Sequence, residues 1–188
     1  NKYKLQNDIK KSTKHSLAII NIDNFSEVND FYGHKIGDLI LKVFSDKLKA
    51  NVVNNTYKLY RLHADEFVIF NSEVTNEFFL SNLTVTIAKL KKEVFKLKKE
   101  EIHFTFTVAI SFENRENILS CASMALKKAK KENHDILIYN KSMSLNDKYK
   151  NNIKWTKKIK KALDDNNFIS VYQPIVCNVD KKVEKYEC

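Results

Sequence analysis

Only two glycines, Gly33 and Gly37, occur in the 188 residues of this chain, together with a single proline, Pro174. Glycine lets backbone turn with positive φ or approach a phosphate closely, so this scarcity narrows the possible folds more than any other feature. A Walker-type loop and a G-x-G-x-x-G turn each need several glycines together, and neither is present. Collagen-like, linker-like and Gly-rich low-complexity chains are excluded on the same ground. Hydrophobic residues make up 43% of the chain, enough for one ordinary core and some excess length. Any nucleotide bound here must be held without a glycine-rich loop.

The charge balance is 33 basic against 23 acidic residues, a net of +10. Arg61 and Arg115 are the only arginines, so the basic count is almost entirely lysine. Nucleic-acid readers lean on the planar arginine fork, whereas lysines spread over helices mostly solvate a surface, and no nucleic-acid partner is expected. The longest apolar runs, Leu17 to Ile20 and Phe67 to Phe70, are far short of the ~18 residues of a membrane helix. No membrane contact is expected of this piece. Cys121, Cys177 and Cys188 are odd in number and lack C-x-x-C spacing, which suits reduced thiols in a cytoplasmic domain. The chain opens on Asn without a signal segment, as a piece of a longer protein would, and a membrane anchor could then lie outside it.

Leu17 to Ile22 reads as a β-strand, and Ile36 to Val52 as a helix with Ile36, Leu39, Ile40, Val43 and Phe44 on one face. Tyr57 to Leu62 and Glu66 to Phe70 form a hairpin pattern around the tip His63-Ala64-Asp65. Ile87, Leu90, Val94 and Leu97 predict a helix over about 75–99, with lysines on its opposite face. Phe104 to Ile110 alternates as a half-buried strand, and a helix over 116–131 and a strand over 136–139 follow. This order predicts an α+β sandwich of the ferredoxin-like, nucleotide-cyclase type, a mainly antiparallel sheet with helices packed on it. The expected domain covers residues 1–140, with a connector and helix over 141–167 and the opening of another domain over 168–188. Trp155 reads as a packing residue between the connector and the first domain.

Polar residues crowd the end of the first strand: Asn21-Ile22-Asp23-Asn24, then Asn29-Asp30, then Gly33-His34-Lys35-Ile36-Gly37-Asp38. The hairpin tip would bring Asp65 and Glu66 to the same end of the sheet. Convergent carboxylates of this kind suit Mg²⁺, a hard ion that prefers oxygen ligands. The same residues also suit helix capping and turns, and the residues by themselves leave both readings open.

The pattern Asn-Ile-Asp-x-Phe-x-x-x-Asn-Asp-x-x-Gly-His-x-x-Gly-Asp, followed by x-x-Asp-Glu-Phe on a hairpin, resembles the GGDEF domain of diguanylate cyclases. The resemblance runs from Asn1 to about Tyr139 and includes Ala125-Leu126-x-x-Ala129-Lys130 on the late helix. Val171-Tyr172-Gln173-Pro174-Ile175 and Tyr186-Glu187 resemble the opening of an EAL cyclic di-GMP phosphodiesterase domain. The first resemblance implies a reaction joining two GTP molecules into cyclic di-GMP across a homodimer. It implies guanine contacts from Asn29 and Asp38, and a phosphate contact from Lys130. It further implies Mg²⁺ on Asp65, the Ile22 carbonyl and position 21, with Glu66 as the following catalytic acid.

Four features depart from the family pattern. Its first metal-binding aspartate is Asn21 here, and the two signature glycines are His63 and Ala64. A phosphate-holding arginine is His134, and the product-inhibition motif R-x-x-D reads Asn54-Asn55-Thr56-Tyr57. Phosphoryl transfer depends on positioning and electrostatic stabilisation, so these changes predict a weakened Mg²⁺ site and impaired catalysis. The expected role is a GTP-binding or regulatory module for a downstream EAL domain. The alternatives are a weakly active cyclase, with Asp23 or His63 compensating for the lost carboxylate, and a nucleotide-independent dimerisation scaffold.

Overall fold

The computed structural model describes residues 2–13, 15–52, 57–63, 65–97, 100–102, 104–143, 146–179 and 181–187. The chain divides into two compact units, Asn1–Ser144 and Leu145–Cys188. The first begins with α1 (Lys2–Lys11), β1 (Ser16–Ile22), α2 (Phe25–Tyr32) and α3 (His34–Asn51). It continues with β2 (Tyr57–His63), β3 (Glu66–Asn71), α4 (Asn76–Lys91), β4 (Phe95–Leu97) and β5 (Glu100–Ile102), then β6 (Phe106–Ser111), α5 (Ile118–Glu132) and β7 (Ile136–Ile138).

Five strands form one sheet in the order β2-β3-β1-β6-β7, antiparallel except for the parallel pair β6 and β7. The fold is therefore the expected α+β sandwich. All seven residues of β1 are buried, because both faces of this central strand are covered and neither can carry a polar stripe. Ala18, Ile20 and Ile22 join the cluster under α2, α3 and α4, together with Phe44, Phe67, Phe79 and Phe106. Leu17 and Ile19 join the opposite cluster with Leu5 and Ile9 of α1 and Ile118, Ala122 and Ala125 of α5. The period-2 alternation of β1 thus feeds two separate apolar layers.

Several elements differ from the sequence reading. Helix α4 stops at Lys91 instead of near Lys99, and β4 and β5 follow as an antiparallel hairpin with Lys96 across from Glu101. The run Phe95-Lys96-Leu97 alternates apolar and charged residues, so its period suits a strand as well as a helix. Helix α1 has no counterpart in the sequence reading, although Leu5 and Ile9, four apart, are its buried positions. In the second unit, β8 (Gln173–Val176) pairs with β9 (Val183–Glu187). A strand forms there only where a partner supplies hydrogen bonds. Helix α6 (Asn146–Asp164) belongs to the same unit. Trp155 lies on this helix, with the Lys158 ammonium 5.0 Å from its ring centroid.

A buried hydroxyl anchors α1 to the sheet edge. The Tyr60 hydroxyl donates to the Asp8 carboxylate, which also lies 3.3 Å from the Lys58 ammonium. The Tyr60 bond, with help from Lys58, holds the Asp8 carboxyl below its ordinary value, while burial and Asp8 push the Tyr60 hydroxyl upward. Asp8 therefore stabilises the fold above the ordinary carboxylate pKa of about 4, and that contribution is lost as pH falls through its lowered folded value. Tyr60 stabilises below its ordinary pKa of about 10, and that contribution is lost as pH rises through its raised folded value. Urea unfolding across pH is expected to show a plateau between these limits. The alkaline fall should shrink in Tyr60→Phe; an unchanged alkaline limb would rule the anchor out.

Candidate functional site

The end of β1 meets the β2–β3 turn and helix α5 at one place. Asn21 stands across from Glu66 of β3 and Thr107 of β6 in the strand register. It is only 3% exposed. Its amide nitrogen donates to Asp65 Oδ2 at 2.9 Å, and its amide oxygen accepts from the Lys130 ammonium of α5. The Ile22 N–H donates to the Asp65 carbonyl at 3.2 Å, which ties the turn to the strand. An amide suits the middle position because it donates and accepts at once.

This arrangement bears directly on the expected Mg²⁺. A hard cation wants several oxygen ligands, but the Asn21 oxygen already accepts from Lys130 and its nitrogen faces Asp65. Among the described residues, no group of three or more His, Cys, Asp or Glu is placed to hold a metal ion. One carboxylate and the neighbouring Ile22 backbone are what remain of the expected ligand set, and they do not fit a divalent cation held by the protein alone.

Beside this cluster lies a cleft of about 370 Å³ lined by Asp23, Thr105, Thr107, Lys130, Asn133 and His134, among others. Thr107 Oγ1 donates to Asp23 Oδ1 at 2.8 Å, and the Asp23 N–H donates to the Thr105 carbonyl at 3.0 Å. Asn133 caps α5 in the left-handed region, φ 55°, a conformation asparagine tolerates better than most residues. The chain turns there, so His134 lines the same cleft as Lys130. His134 Nε2 lies 3.4 Å from the Glu132 carboxylate.

Asn29 and Asp38 sit elsewhere, on the α2–α3 corner. Gly33 joins the two helices with φ 81°, where any side chain would be strained. Gly37 is needed for space: a Cβ there would lie 1.9 Å from Asn29 Oδ1 and 3.2 Å from the Phe25 ring. The glycine therefore seats the Asn29 amide against α3, and Asp38 is exposed on the next residue.

The structure thus gathers Asn21, Asp65 and Lys130, with Ile22 adjacent and Glu66 across the ladder. Asn29 and Asp38 do not line the cleft. Ala64 and Asn54 to Thr56 lie outside the described residues. Thr105, Thr107 and Asn133 escaped the sequence reading, although the Phe-Thr-Phe-Thr run at 104–107 places hydroxyls at alternate positions of an apolar strand. A larger groove of about 860 Å³, lined in part by Lys10 of α1 and Lys127 of α5, shares no residue with this cleft.

A family model described as diguanylate cyclase, GGDEF domain, matches residues 2–135. The bifunctional diguanylate cyclase/cyclic di-GMP phosphodiesterase MucR of Pseudomonas aeruginosa is 24% identical over 178 residues, spanning 92% of this chain and 25% of MucR. The diguanylate cyclase DgcS of Shewanella oneidensis is 44% identical over 54 residues, 29% of this chain and 18% of DgcS. The chain thus spans about a quarter or less of these relatives' length. Diguanylate cyclase SiaD of Pseudomonas aeruginosa, solved with its activator SiaC, aligns with a TM-score of 0.66 at 17% identity, covering 72% of this chain and 57% of SiaD. An EAL/GGDEF domain protein from M. capsulatus aligns with a TM-score of 0.62 at 20% identity, covering 72% of this chain and 94% of that one. At these identities the structural likeness speaks to the fold.

Proposed function

This chain belongs to the diguanylate cyclase GGDEF domain family, and from that membership we propose that it is a GTP-binding regulatory module of cyclic di-GMP signalling, impaired in cyclisation. The observation that carries the proposal is the neutral Asn21 amide bonded between Lys130 and Asp65. A carboxylate at that position would call for a cation. The amide makes the contact favourable without one, and so removes charge from the place where cyclisation needs it.

Cyclisation requires the 3′ hydroxyl of one GTP to attack the α-phosphate of a second, with pyrophosphate leaving and two copies of the chain presenting the substrates. Nearly all of the acceleration in such a reaction comes from positioning and charge. The loss of one well-placed electrostatic contributor costs about 10²-fold or more, and position 134 also carries a histidine where the family pattern has an arginine. The guanine-type pair Asn29 and Asp38 is retained, with Gly37 leaving room for the first. Glu66, across from Asn21, would be the acid of an impaired site. Mg²⁺ enters this proposal as the counter-ion a nucleotide brings on its own phosphates. The β8–β9 hairpin, where the resemblance to an EAL opening lies, suggests that the nucleotide state is passed to a phosphodiesterase domain in the cytoplasm, where GTP is made.

The test combines calorimetric titration with GTP and chromatography of the products in Mg²⁺. Saturable binding without accumulation of cyclic di-GMP is the expected result. Steady product formation would replace this reading with an active cyclase, and absence of binding at millimolar GTP would leave a scaffold. The weak-cyclase reading has one observation in its favour, the Asp23 carboxylate held by Thr107 in the cleft; under it, Asn21→Asp would raise turnover.

Gly37→Ala is expected to weaken GTP binding by about tenfold, the loss of one or two hydrogen bonds at ~1 kcal/mol each, because the new methyl displaces the Asn29 amide. Circular dichroism should remain native. Unchanged affinity in a folded variant would remove Asn29 from the binding site.

A further inference from the structure

We propose that the Lys130 ammonium takes the place of a protein-bound divalent cation, so that the cleft accepts the phosphate chain of a nucleotide without a metal ion. The inference rests on the reading of this cleft as a nucleotide site and concerns how the site balances charge. Asn21 is neutral, Asp65 carries one negative charge and Lys130 one positive charge, so these three side chains balance; of the two carboxylates that also line the cleft, Asp135 is paired with the Lys91 ammonium and Asp23 accepts from the Thr107 hydroxyl. With an aspartate at position 21, two carboxylates would face each other at the 2.9 Å now spanned by the Asn21–Asp65 hydrogen bond. Like charges at that separation repel, and a bound cation would be required before an anionic phosphate chain could approach.

The asparagine removes that requirement in two ways. It turns the contact with Asp65 into a hydrogen bond, and it offers its oxygen to Lys130. An ammonium has three donors. One goes to Asn21, and Lys130 also lines the 370 Å³ cleft, where its other donors can meet phosphate oxygens. Asn21 is thus a positioning residue that holds a fixed cation at the edge of the cleft. Thr107 and Asn133, both lining the cleft, add neutral polar groups on either side.

Calorimetric titrations of the chain with GTP and with inorganic tripolyphosphate, each in EDTA and in Mg²⁺, test the proposal. The expected result is GTP Kd values within about threefold of each other in the two conditions, with tripolyphosphate also binding in EDTA. Asn21→Asp is expected to bind at least about tenfold more weakly in EDTA than in Mg²⁺, because the second carboxylate restores the need for a cation. Wild-type GTP binding that is lost in EDTA and recovered in Mg²⁺ would overturn the metal-free site while leaving GTP binding intact. No GTP binding in either condition would overturn both readings. The wild-type comparison needs no variant, so poor folding of Asn21→Asp cannot decide the matter.

Discussion

Lys130→Ala is expected to weaken GTP binding by about 10- to 100-fold, the equivalent of losing charge-assisted hydrogen bonds at ~1.5–3 kcal/mol. The substitution does more than delete a phosphate contact. It leaves the amide oxygen of Asn21, a residue 3% exposed, without the ammonium that it accepts from. Lys128, on the same helix, provides the control. It is paired with Glu132 at 3.9 Å on an exposed face, and exposed pairs of this kind contribute ~1 kcal/mol or less. Lys128→Ala should therefore leave GTP affinity within about twofold of wild type. Lys130→Arg should recover only part of the binding, because a planar fork cannot reproduce the compact ammonium geometry between Asn21 and the cleft. Calorimetry, with thermal unfolding of each variant as the folding control, makes the measurement. Equal losses from Lys128→Ala and Lys130→Ala would mean that the chain attracts nucleotide through its general positive charge.

Phe44→Ala should cost the first unit about 3–5 kcal/mol, a large share of the ~5–15 kcal/mol that typically separates folded from unfolded states. Phe44 is fully buried on α3, with its ring centroid 5.2 Å from Phe67 of β3 and 5.7 Å from Phe106 of β6. It therefore joins α3 to two strands that flank β1 on opposite sides. Removing the ring leaves a cavity that three elements would have to collapse together to fill, and close-packed interiors relax only partly. The expected fall in melting temperature is about 10–20 °C for a unit of this size. Phe44→Leu keeps most of the volume and should cost distinctly less. Urea unfolding of both variants gives the comparison, and a loss under ~1 kcal/mol for Phe44→Ala would show that α3 is not coupled to β3 and β6 through this residue.

Most of the sheet was legible in the sequence because its strands carry their own periods. Leu17 to Ile20 is a continuous apolar run, as suits a strand buried on both faces, and Phe104 to Ile110 alternates. The end of α4 was not legible, since Val94 and Leu97 satisfy helical spacing to Leu90 while Phe95 and Leu97 satisfy strand spacing to each other. The pairing of β4 with β5 decides between them. Helix α1 was missed because its two buried residues, Leu5 and Ile9, are too few to stand out among lysines, and its position depends on Tyr60, 52 positions from Asp8.

The candidate site divides in the same way. Residue types at the end of β1, the two glycines of the α2–α3 corner and the acids of the hairpin turn are set by sequence, and with them the family, the fold and the exchange of a carboxylate for an amide at position 21. What that exchange does was decided only in three dimensions. Asn21 and Lys130 are 109 positions apart, and Asn21 and Asp65 are 44 apart; they meet because the strand order β3-β1-β6 places the hairpin turn on one side of β1 and α5 across its face. Local periodicity sets which face a side chain takes, but long-range pairing sets which partner it finds there. An asparagine that in sequence is only a missing charge becomes, in the fold, the hydrogen-bonded link between a fixed cation and a carboxylate.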